Sequence, residues 1–227
     1  MNASVSLEPE AERLAALTVG EIARTLPGAT TVFRRNRLDF CCGGDVPLAT
    51  AAQARGVDAV AVAAELLALD AGAASDLPDG PDALIDHLVT RYHDVHRREL
   101  PELVLLADKV ERVHRAHAEV PAGLAALLRE MQAELEAHMQ KEELVLFPMM
   151  RRNPEAHLAP PIQRMRAEHD DHGVMLRKVE QVTRDLHLPS DACNTWRALY
   201  TGVAKLADDL MHHIHIENNV LFPQYEA

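Results

Sequence analysis

The stretch His138-Met-Gln-Lys-Glu142-Glu-Leu-Val-Leu-Phe147-Pro148 recurs later in the chain as His213-Ile-His-Ile-Glu217-Asn-Asn-Val-Leu-Phe222-Pro223. In both copies a glutamate follows a histidine by four residues, and Val-Leu-Phe-Pro completes the pattern. A second pair of matching segments lies upstream, at His93-Asp-Val-His96 and His169-Asp-Asp-His172. His93 precedes His138 by 45 residues, and His169 precedes His213 by 44. One unit therefore occurs twice, because chance is unlikely to supply every match in order.

The periodicity around these motifs predicts four long helices, each with one buried face. Apolar and motif residues recur at steps of three and four, as on the inward face of a bundle helix. The predicted faces are Ile85, Val89, His93, His96 and Leu100; Met131, Leu135, His138, Glu142 and Val145; Ile162, Met165, His169, His172 and Leu176; and Leu206, Leu210, His213, Glu217 and Val220. We therefore expect an all-α fold with an antiparallel four-helix bundle that is polar at one level.

Buried carboxylates and imidazoles at one level indicate a metal site. An unpaired buried carboxylate costs several kcal/mol, and a metal ion removes that cost. A histidine and a glutamate four residues apart lie one turn from each other and can reach one centre. The two units together supply six candidate ligands, His93, His138, Glu142, His169, His213 and Glu217. This set suits two metal ions, each with two histidines, bridged by the carboxylates; iron or manganese fits best and zinc is also compatible.

Seven histidines have no counterpart in the repeat, and two within it have alternative roles. His96 and His172 are either further ligands or packed neighbours of the ligands. The seven remaining histidines lack a matching position on the predicted faces and are expected to be exposed or peripheral; they are His87, His114, His117, His157, His187, His212 and His215. The His-x3-Glu order differs from the Glu-x-x-His order of ferritin-like bundles, and no His-Glu-x-x-His zinc protease motif occurs.

Across the 227-residue chain we predict a small helical domain at 1–72, a linker at 73–80 and the bundle at 81–227. Gly, Pro, Ser and Asp mark the linker. Short helices are expected at about 18–26, 29–37, 48–55 and 58–69, with the capping-box spacing at Thr18 and Glu21. The long helices are expected at about 82–117, 121–146, 161–187 and 191–221.

Composition excludes several classes of protein. A formal net charge of −12 disfavours binding to nucleic acid through a basic face. No window is apolar enough for a transmembrane helix, and residues 1–20 lack the apolar core of a secretory signal. Three cysteines cannot form a disulfide framework, so a reducing, cytoplasmic setting is expected.

The loop Asp39-Phe-Cys-Cys-Gly-Gly44 interrupts the helical pattern of the N-terminal segment. Adjacent cysteines are often two packed small hydrophobes. Here the glycines permit a tight turn that could expose both sulfurs. We therefore favour a functional role for Cys41 and Cys42, as a redox pair or a transient iron or NO site. Cys193, at the start of the fourth long helix, is interpreted as structural.

The chain resembles the repair of iron centres family, iron–sulfur cluster repair di-iron proteins with an ScdA-like N-terminal domain and a hemerythrin-like domain. The motifs at Arg91–Asp94, His138–Pro148, Glu168–Asp170 and His213–Pro223, with the Asp39–Gly44 loop, carry this resemblance. It implies two non-haem iron ions with carboxylate and oxo bridges, held by His93, His138, His169 and His213, with Glu142 and Glu217 as the bridges.

The resemblance further implies repair of iron–sulfur clusters damaged by nitrosative or oxidative stress. Damaged iron–sulfur proteins would be the partners, NO or O2 the small ligands, and the protein a monomer or homodimer. The alternatives are a di-iron NO reductase or detoxifier, and a sensor or carrier of O2 or NO. Oxygen-carrying hemerythrins use a fifth histidine, and the four matching histidines here argue against a simple oxygen carrier.

Overall fold

Helices form most of the described part of the chain, which comprises residues 4–69, 77–153 and 158–226 of a computed structural model. The predicted all-α class is confirmed, since these residues contain no β-strand. The chain divides into two compact units: Met1–Asp79 with Ile214–Gln224, and Gly80–His213 with Tyr225–Ala227. Residues 73–76 of the predicted linker lie outside the described residues, and the domain boundaries at 72 and 81 stay predictions. No described helix is long and apolar enough to span a membrane.

Among residues 4–69, five short helices form the N-terminal part of the first unit. They are α1 (Ser4–Ala16), α2 (Val19–Thr25), α3 (Ala29–Arg35), α4 (Leu48–Arg55) and α5 (Ala59–Leu67). The sequence patterns did not predict α1. Helix α2 begins as the capping spacing predicts, because the Thr18 hydroxyl accepts a hydrogen bond from the Glu21 N–H at 3.2 Å. Buried Phe33 and Phe40, with ring centres 6.0 Å apart, form part of this unit's core.

Four long helices form the bundle. Helix α6 comprises Pro81–Leu88, Val89–His93 and Asp94–Val113; α7 comprises Leu124–Lys141, Glu142–Leu146 and Phe147–Arg152; α8 is Ala159–Thr183; and α9 comprises Asn194–His215, Ile216–Leu221 and the 3₁₀ turn Phe222–Tyr225. Helix α7 packs against both α6 and α8. A Cβ on Gly202 would lie 2.5 Å from Leu103 Cδ2, so glycine permits the close approach of α9 to α6. Helix α6 ends before the predicted residue 117, and α7 extends beyond the predicted residue 146.

The middle segments of α6, α7 and α9 are π-helical, and they correct three predicted core positions. A π turn accommodates one more residue than an α turn, so the buried faces on its two sides are offset by one position. In α7 the predicted core residue Val145 is 54% exposed, whereas the next residue, Leu146, is 2% exposed. Likewise, the predicted Val89 and Val220 are only half-buried, and their neighbours Leu88 and Leu221 are fully buried. In α8, which has no π turn, Leu176 is also half-buried, and Met175 is buried instead.

Candidate metal centre

Four buried histidines from the four long helices meet in two pairs. His93 Nε2 lies 3.0 Å from His213 Nε2, which brings α6 and α9 together at this level. His138 Nε2 lies 3.0 Å from His169 Nε2, which does the same for α7 and α8. All four side chains are at most 1% exposed. Each pair thus presents two imidazole nitrogens to one point inside the bundle.

The Glu142 carboxylate lies between the two pairs. Its Oε2 atom is 3.5 Å from His93 Nε2, and its Oε1 atom is 3.3 Å from His138 Nε2. The side chain is completely buried. One oxygen therefore faces each histidine pair, the arrangement that a carboxylate bridging two ions requires.

The ligand atoms converge in two groups that share carboxylates. One group is His93, Glu142, His213 and Glu217, and the other is His138, Glu142, His169 and Glu217. Within each group the candidate ligand atoms all lie within 4.8 Å of one another. Glu217 follows His213 by one turn of α9 and is the second residue of the π-helical segment Ile216–Leu221. All six ligands expected from the sequence are thus brought together.

The outer nitrogens of two candidate ligands are held by carboxylates. His93 Nδ1 lies 2.7 Å from Glu143 Oε1, and His138 Nδ1 lies 2.9 Å from Glu168 Oε2. A carboxylate accepts a hydrogen bond from Nδ1–H and leaves the Nε2 lone pair directed inward, as metal-binding histidines require. Mixed imidazole and carboxylate donors suit iron, manganese and zinc. The residues present therefore fit metal ions, iron among them.

Basic side chains donate hydrogen bonds to both outer carboxylates. Arg97 Nη1 donates to Glu143 at 2.8 Å. Lys141 and Arg164 donate to Glu168 at 2.7 and 2.8 Å. Burial alone would raise the pKa of Glu168, but hydrogen bonds from Lys141, His138 and Arg164 outweigh it and lower the pKa to about 2. Glu168 is therefore a carboxylate throughout the physiological pH range and accepts a hydrogen bond from the His138 Nδ1–H.

The sequence patterns assigned no role to Glu143 or Glu168. Both residues lay inside quoted motifs, Glu143 directly after Glu142 and Glu168 directly before His169. The repeat offered no signal for Glu143, because Asn218 occupies the corresponding position in the second copy. Their partners are 50 and 30 residues away in sequence. Only the packing of the helices identifies these contacts.

His96 and His172 lie beside the two groups and belong to neither. The His96 ring centre is 5.5 Å from that of His213, and the His172 ring centre is 4.9 Å from that of His138. Burial, with smaller effects from neighbouring groups, lowers the pKa of His96 to about 3 and that of His172 to about 2. Both imidazoles are therefore neutral at physiological pH.

The expectation that His215 is exposed or peripheral is wrong. Its side chain is 4% exposed, and its Nδ1 accepts a hydrogen bond from Asn219 Nδ2 at 2.8 Å. The Phe40 ring packs edge-on against it, with ring centres 5.5 Å apart. Contact with a segment distant in sequence buries this histidine, so no local pattern could reveal it. His187 is exposed, four of the others are half-buried, and His157 lies outside the described residues.

The cysteine loop is a tight turn organised by Asp39. The Asp39 Oδ1 atom accepts hydrogen bonds from the backbone N–H groups of Cys41, Cys42 and Gly43 at 3.0–3.2 Å. The two sulfurs are 3.6 Å apart, with Cys41 buried and Cys42 half-buried. The hydrogen bond with Cys42 and burial together raise the pKa of the Cys41 thiol. At neutral pH the Cys41 side chain is thus a thiol rather than a thiolate.

Asparagines of α9 hold this loop. Asn218 Nδ2 donates to the Cys41 carbonyl at 3.1 Å, and Asn219 Nδ2 donates to the Phe40 carbonyl at 3.2 Å. A Cβ on Gly20 would lie only 2.7 Å from the Gly44 carbonyl oxygen, which explains why that position is glycine. These asparagines occur only in the second copy of the repeat, and sequence reasoning assigned them no role. Their contacts explain why the copies differ after the glutamate.

Known proteins are similar in sequence to most of the chain. Residues 84–225 match the family model described as hemerythrin HHE cation binding domain, and residues 15–70 match ScdA_N, described as a domain of unknown function (DUF542). Curated relatives named iron-sulfur cluster repair protein YtfE are similar over nearly their full length. The chain is 45% identical to that of Citrobacter koseri over 208 residues, which are 91% of this chain and 94% of the relative. It is 48% identical to that of Yersinia pseudotuberculosis over 210 residues, which are 91% and 95%.

Proposed function

The chain belongs to the family of iron–sulfur cluster repair proteins with a hemerythrin HHE cation-binding domain, and on this basis we propose that it repairs iron–sulfur clusters damaged by nitrosative or oxidative stress. The observation that carries the proposal is the Glu142 carboxylate between two buried histidine pairs. An uncompensated carboxylate at that position would cost several kcal/mol. Two bound cations are the natural compensation.

The proposed centre contains two non-haem irons. His93 and His213 would hold one iron and His138 and His169 the other, with the carboxylates of Glu142 and Glu217 available to both. An oxo bridge between the two irons would be part of this centre. When bound, iron supplies redox chemistry and a coordination position for a small molecule such as NO or O2.

The chain's own residues orient and protect this centre. Glu143 and Glu168 hold the Nδ1 protons of His93 and His138, so that Nε2 faces inward. Helix packing keeps bulk water from the ligands, as their near-complete burial indicates. Neutral His96 and His172 add no positive charge next to the irons.

Cys41 and Cys42 form the second part of the proposal, as a redox pair or a transient iron or NO site. The sulfur separation of 3.6 Å and the partial exposure of Cys42 support this role. Serine at both positions is expected to impair cluster repair or NO handling while leaving the iron content of the bundle intact. Unchanged repair and NO handling in that double variant would remove the cysteines from the mechanism.

Damaged iron–sulfur proteins are the proposed partners, and the cytoplasm is the proposed location. The test uses a [4Fe–4S] enzyme inactivated by NO. Iron-loaded protein is expected to restore its activity faster than the same amount of iron free in solution. The purified protein should hold about two irons per chain, as di-iron bundles do. Equal reactivation by free iron, or a native protein without metal, would contradict the proposal.

Variants of the two candidate bridging glutamates test whether repair activity depends on the proposed metal centre. Glu142→Gln and Glu217→Gln are expected to lose iron and repair activity together, because each removes a bridging charge. Glu102→Gln, an exposed glutamate on α6, is the matched control and should retain both. Nitrous oxide formed during turnover with an electron donor would favour the alternative of an NO reductase. Reversible ligand binding without repair would favour a sensor or carrier.

A further inference from the structure

The aromatic ring of Tyr92 lies against His213, one of the candidate metal ligands. Tyr92 belongs to the π-helical segment Val89–His93 of α6. Its ring centre is 5.6 Å from that of His213, and the two ring planes differ by only 10°. This is an offset stack, an arrangement that aromatic rings prefer. Both side chains are buried, so a residue of α6 contacts a ligand of α9 inside the bundle.

The stack restricts the rotation that decides where the His213 nitrogens point. The χ2 angle of a histidine has broad energy wells, so packing has to select the ring plane. His213 Nε2 lies 3.0 Å from His93 Nε2, and turning the ring about χ2 would move it off the point where the two nitrogens converge. The Tyr92 ring, parallel to the imidazole, favours the plane in which they converge.

Arg91 connects the Tyr92 ring to α9. Its guanidinium carbon lies 4.8 Å from the centre of the Tyr92 ring, within the range of a cation–π interaction. The same guanidinium donates two hydrogen bonds to the Asp209 carboxylate, at 2.8 and 3.2 Å. Asp209 is 6% exposed and lies one helical turn before His213. Because a two-pronged pair of this kind fixes orientation as well as distance, it holds α6 and α9 together at the turn that carries the ligand.

The internal repeat places a residue of different chemistry at the equivalent position. In the second unit Glu168 corresponds to Tyr92, since each directly precedes a histidine of one pair. Glu168 accepts a hydrogen bond from His138, the pair partner of the histidine that follows it, at 2.9 Å. Tyr92 likewise contacts His213, the pair partner of the histidine that follows Tyr92. One position of the repeat therefore contacts the partner histidine in both units, through a carboxylate in one and an aromatic ring in the other.

We propose that Tyr92 positions the His213 imidazole for metal binding, and that Arg91 and Asp209 hold the Tyr92 ring in place. The inference rests on the proposed di-iron function and goes beyond it, because it makes the two metal sites separable. The other histidine pair has its equivalent contact at Glu168. Loss of the Tyr92 ring should therefore weaken the metal site that contains His213 and spare the other.

The experiment compares Tyr92→Leu and Tyr92→Phe with a matched control, Tyr200→Leu. Iron(II) is added anaerobically to metal-free protein in competition with a chelator of known affinity, which yields two successive dissociation constants. Tyr92→Leu is expected to weaken one site on the order of tenfold, the lower end of the range for contacts that orient metal-binding histidines. Tyr92→Phe keeps the ring and should restore wild-type binding. Tyr200 is also buried on α9 but precedes His213 by 13 residues, so its replacement should leave both constants unchanged.

A double variant assigns the weakened site. Glu168→Gln acts on the pair that contains His138, whereas Tyr92→Leu should act on the pair that contains His213. Because the two changes concern different sites, the double variant should show both constants weakened, one by each change. If both changes fall on the same constant, Tyr92 does not act through His213 and the proposal fails.

Arg91→Lys keeps the inference testable if Tyr92→Leu folds poorly. The Arg91 side chain is 43% exposed, so this change leaves the core intact. Lysine lacks the planar group that binds Asp209 twice and lies over Tyr92, and the same site should weaken by about threefold.

Three results would overturn the proposal: equal weakening of both sites in Tyr92→Leu, a Tyr92→Phe variant as weak as Tyr92→Leu, or wild-type constants in both Tyr92→Leu and Arg91→Lys. The first of these is the result that a general loss of packing would give. A wild-type chain that binds no iron would instead overturn the proposed function on which the inference rests.

Discussion

At the scale of single residues, the candidate ligands differ in what holds them. His93 and His138 each direct Nδ1 to a carboxylate, Glu143 or Glu168, and those carboxylates are held in turn by basic side chains. This chain of hydrogen bonds runs from the protein surface to the inward Nε2 atoms. It fixes the tautomer and the ring orientation before metal binds.

Replacing either outer carboxylate should weaken metal binding without removing a ligand. We expect Glu143→Gln and Glu168→Gln to lower iron affinity by about 10- to 100-fold, because the amide cannot stabilise the Nδ1–H proton as a carboxylate does. Competition with a chelator of known affinity measures the change. The exposed Glu102→Gln serves as control. Affinities equal to wild type in both outer variants would show that these contacts do not orient the ligands.

Cys193 provides a residue-scale prediction away from the metal centre. Cys193 directly precedes Asn194, the first residue of α9. Its sulfur lies 3.2 Å from His114 Nε2. The Trp196 backbone N–H and the His114 ring lower the pKa of the Cys193 thiol to about 7. The thiolate therefore forms as the pH rises through 7, and its fraction falls below that pH.

The rate of Cys193 alkylation by iodoacetamide should rise with pH to a plateau, with its midpoint near 7. Mass spectrometry of peptides separates Cys193 from Cys41, which should react slowly at this pH because it is buried and its pKa is raised. His114→Gln should move the midpoint upward, toward roughly 8.5, the value of an unperturbed thiol. A wild-type midpoint already near 8.5 would show that the histidine and the helix terminus do not act on this sulfur.

At the scale of elements, the π turns set which residues face the core near the ligands. The turn Glu142–Leu146 begins at the candidate bridging carboxylate, and Ile216–Leu221 contains its counterpart Glu217. Each turn admits an extra residue, so the helix face before it and the face after it differ in phase. This allows the histidine and the glutamate to point inward while Phe147 and Phe222 still reach buried positions.

Adjacent residues in the turn of α7 should therefore differ sharply in their contribution to stability. Leu146→Ala should lower the free energy of unfolding by about 2–4 kcal/mol, since it removes buried methyl groups and leaves a cavity. Val145→Ala, at a site that is 54% exposed, should change it by less than about 0.5 kcal/mol. Urea unfolding of the metal-free protein measures both values. The reverse ranking would mean that α7 continues as a regular α-helix past Glu142.

At the scale of the whole molecule, metal binding and folding are linked. The metal-free native state confines Glu142 and Glu217 with four histidines at almost complete burial, which opposes folding. The unfolded chain lacks the converged site, so metal binds the native state preferentially. Metal should therefore stabilise the bundle over and above any effect on repair activity.

Iron loading should raise the thermal midpoint of the bundle. Free iron at 100 times the dissociation constant adds about 2.7 kcal/mol to the free energy of unfolding for each site. Anaerobic fluorescence of Trp196, the single tryptophan of the chain, follows the unit that contains it. Chelation should reverse the increase, and Glu142→Gln should abolish it. A midpoint independent of iron in the wild type would contradict metal binding to the native bundle.

The sequence by itself determined the helical class and the six candidate ligands, because both depend on local order. Helical period places residues on a face without reference to other helices, and the repeat distinguished six histidines, four of them candidate ligands, from the other seven. The tertiary structure decided what depends on contacts between distant segments. It alone pairs His93 with Glu143 and His138 with Glu168, and it buries His215 against Phe40. The exchange of Val145 for Leu146 in the core has a different origin. The backbone forms a π turn at Glu142, where the side-chain pattern predicts a regular α-helix.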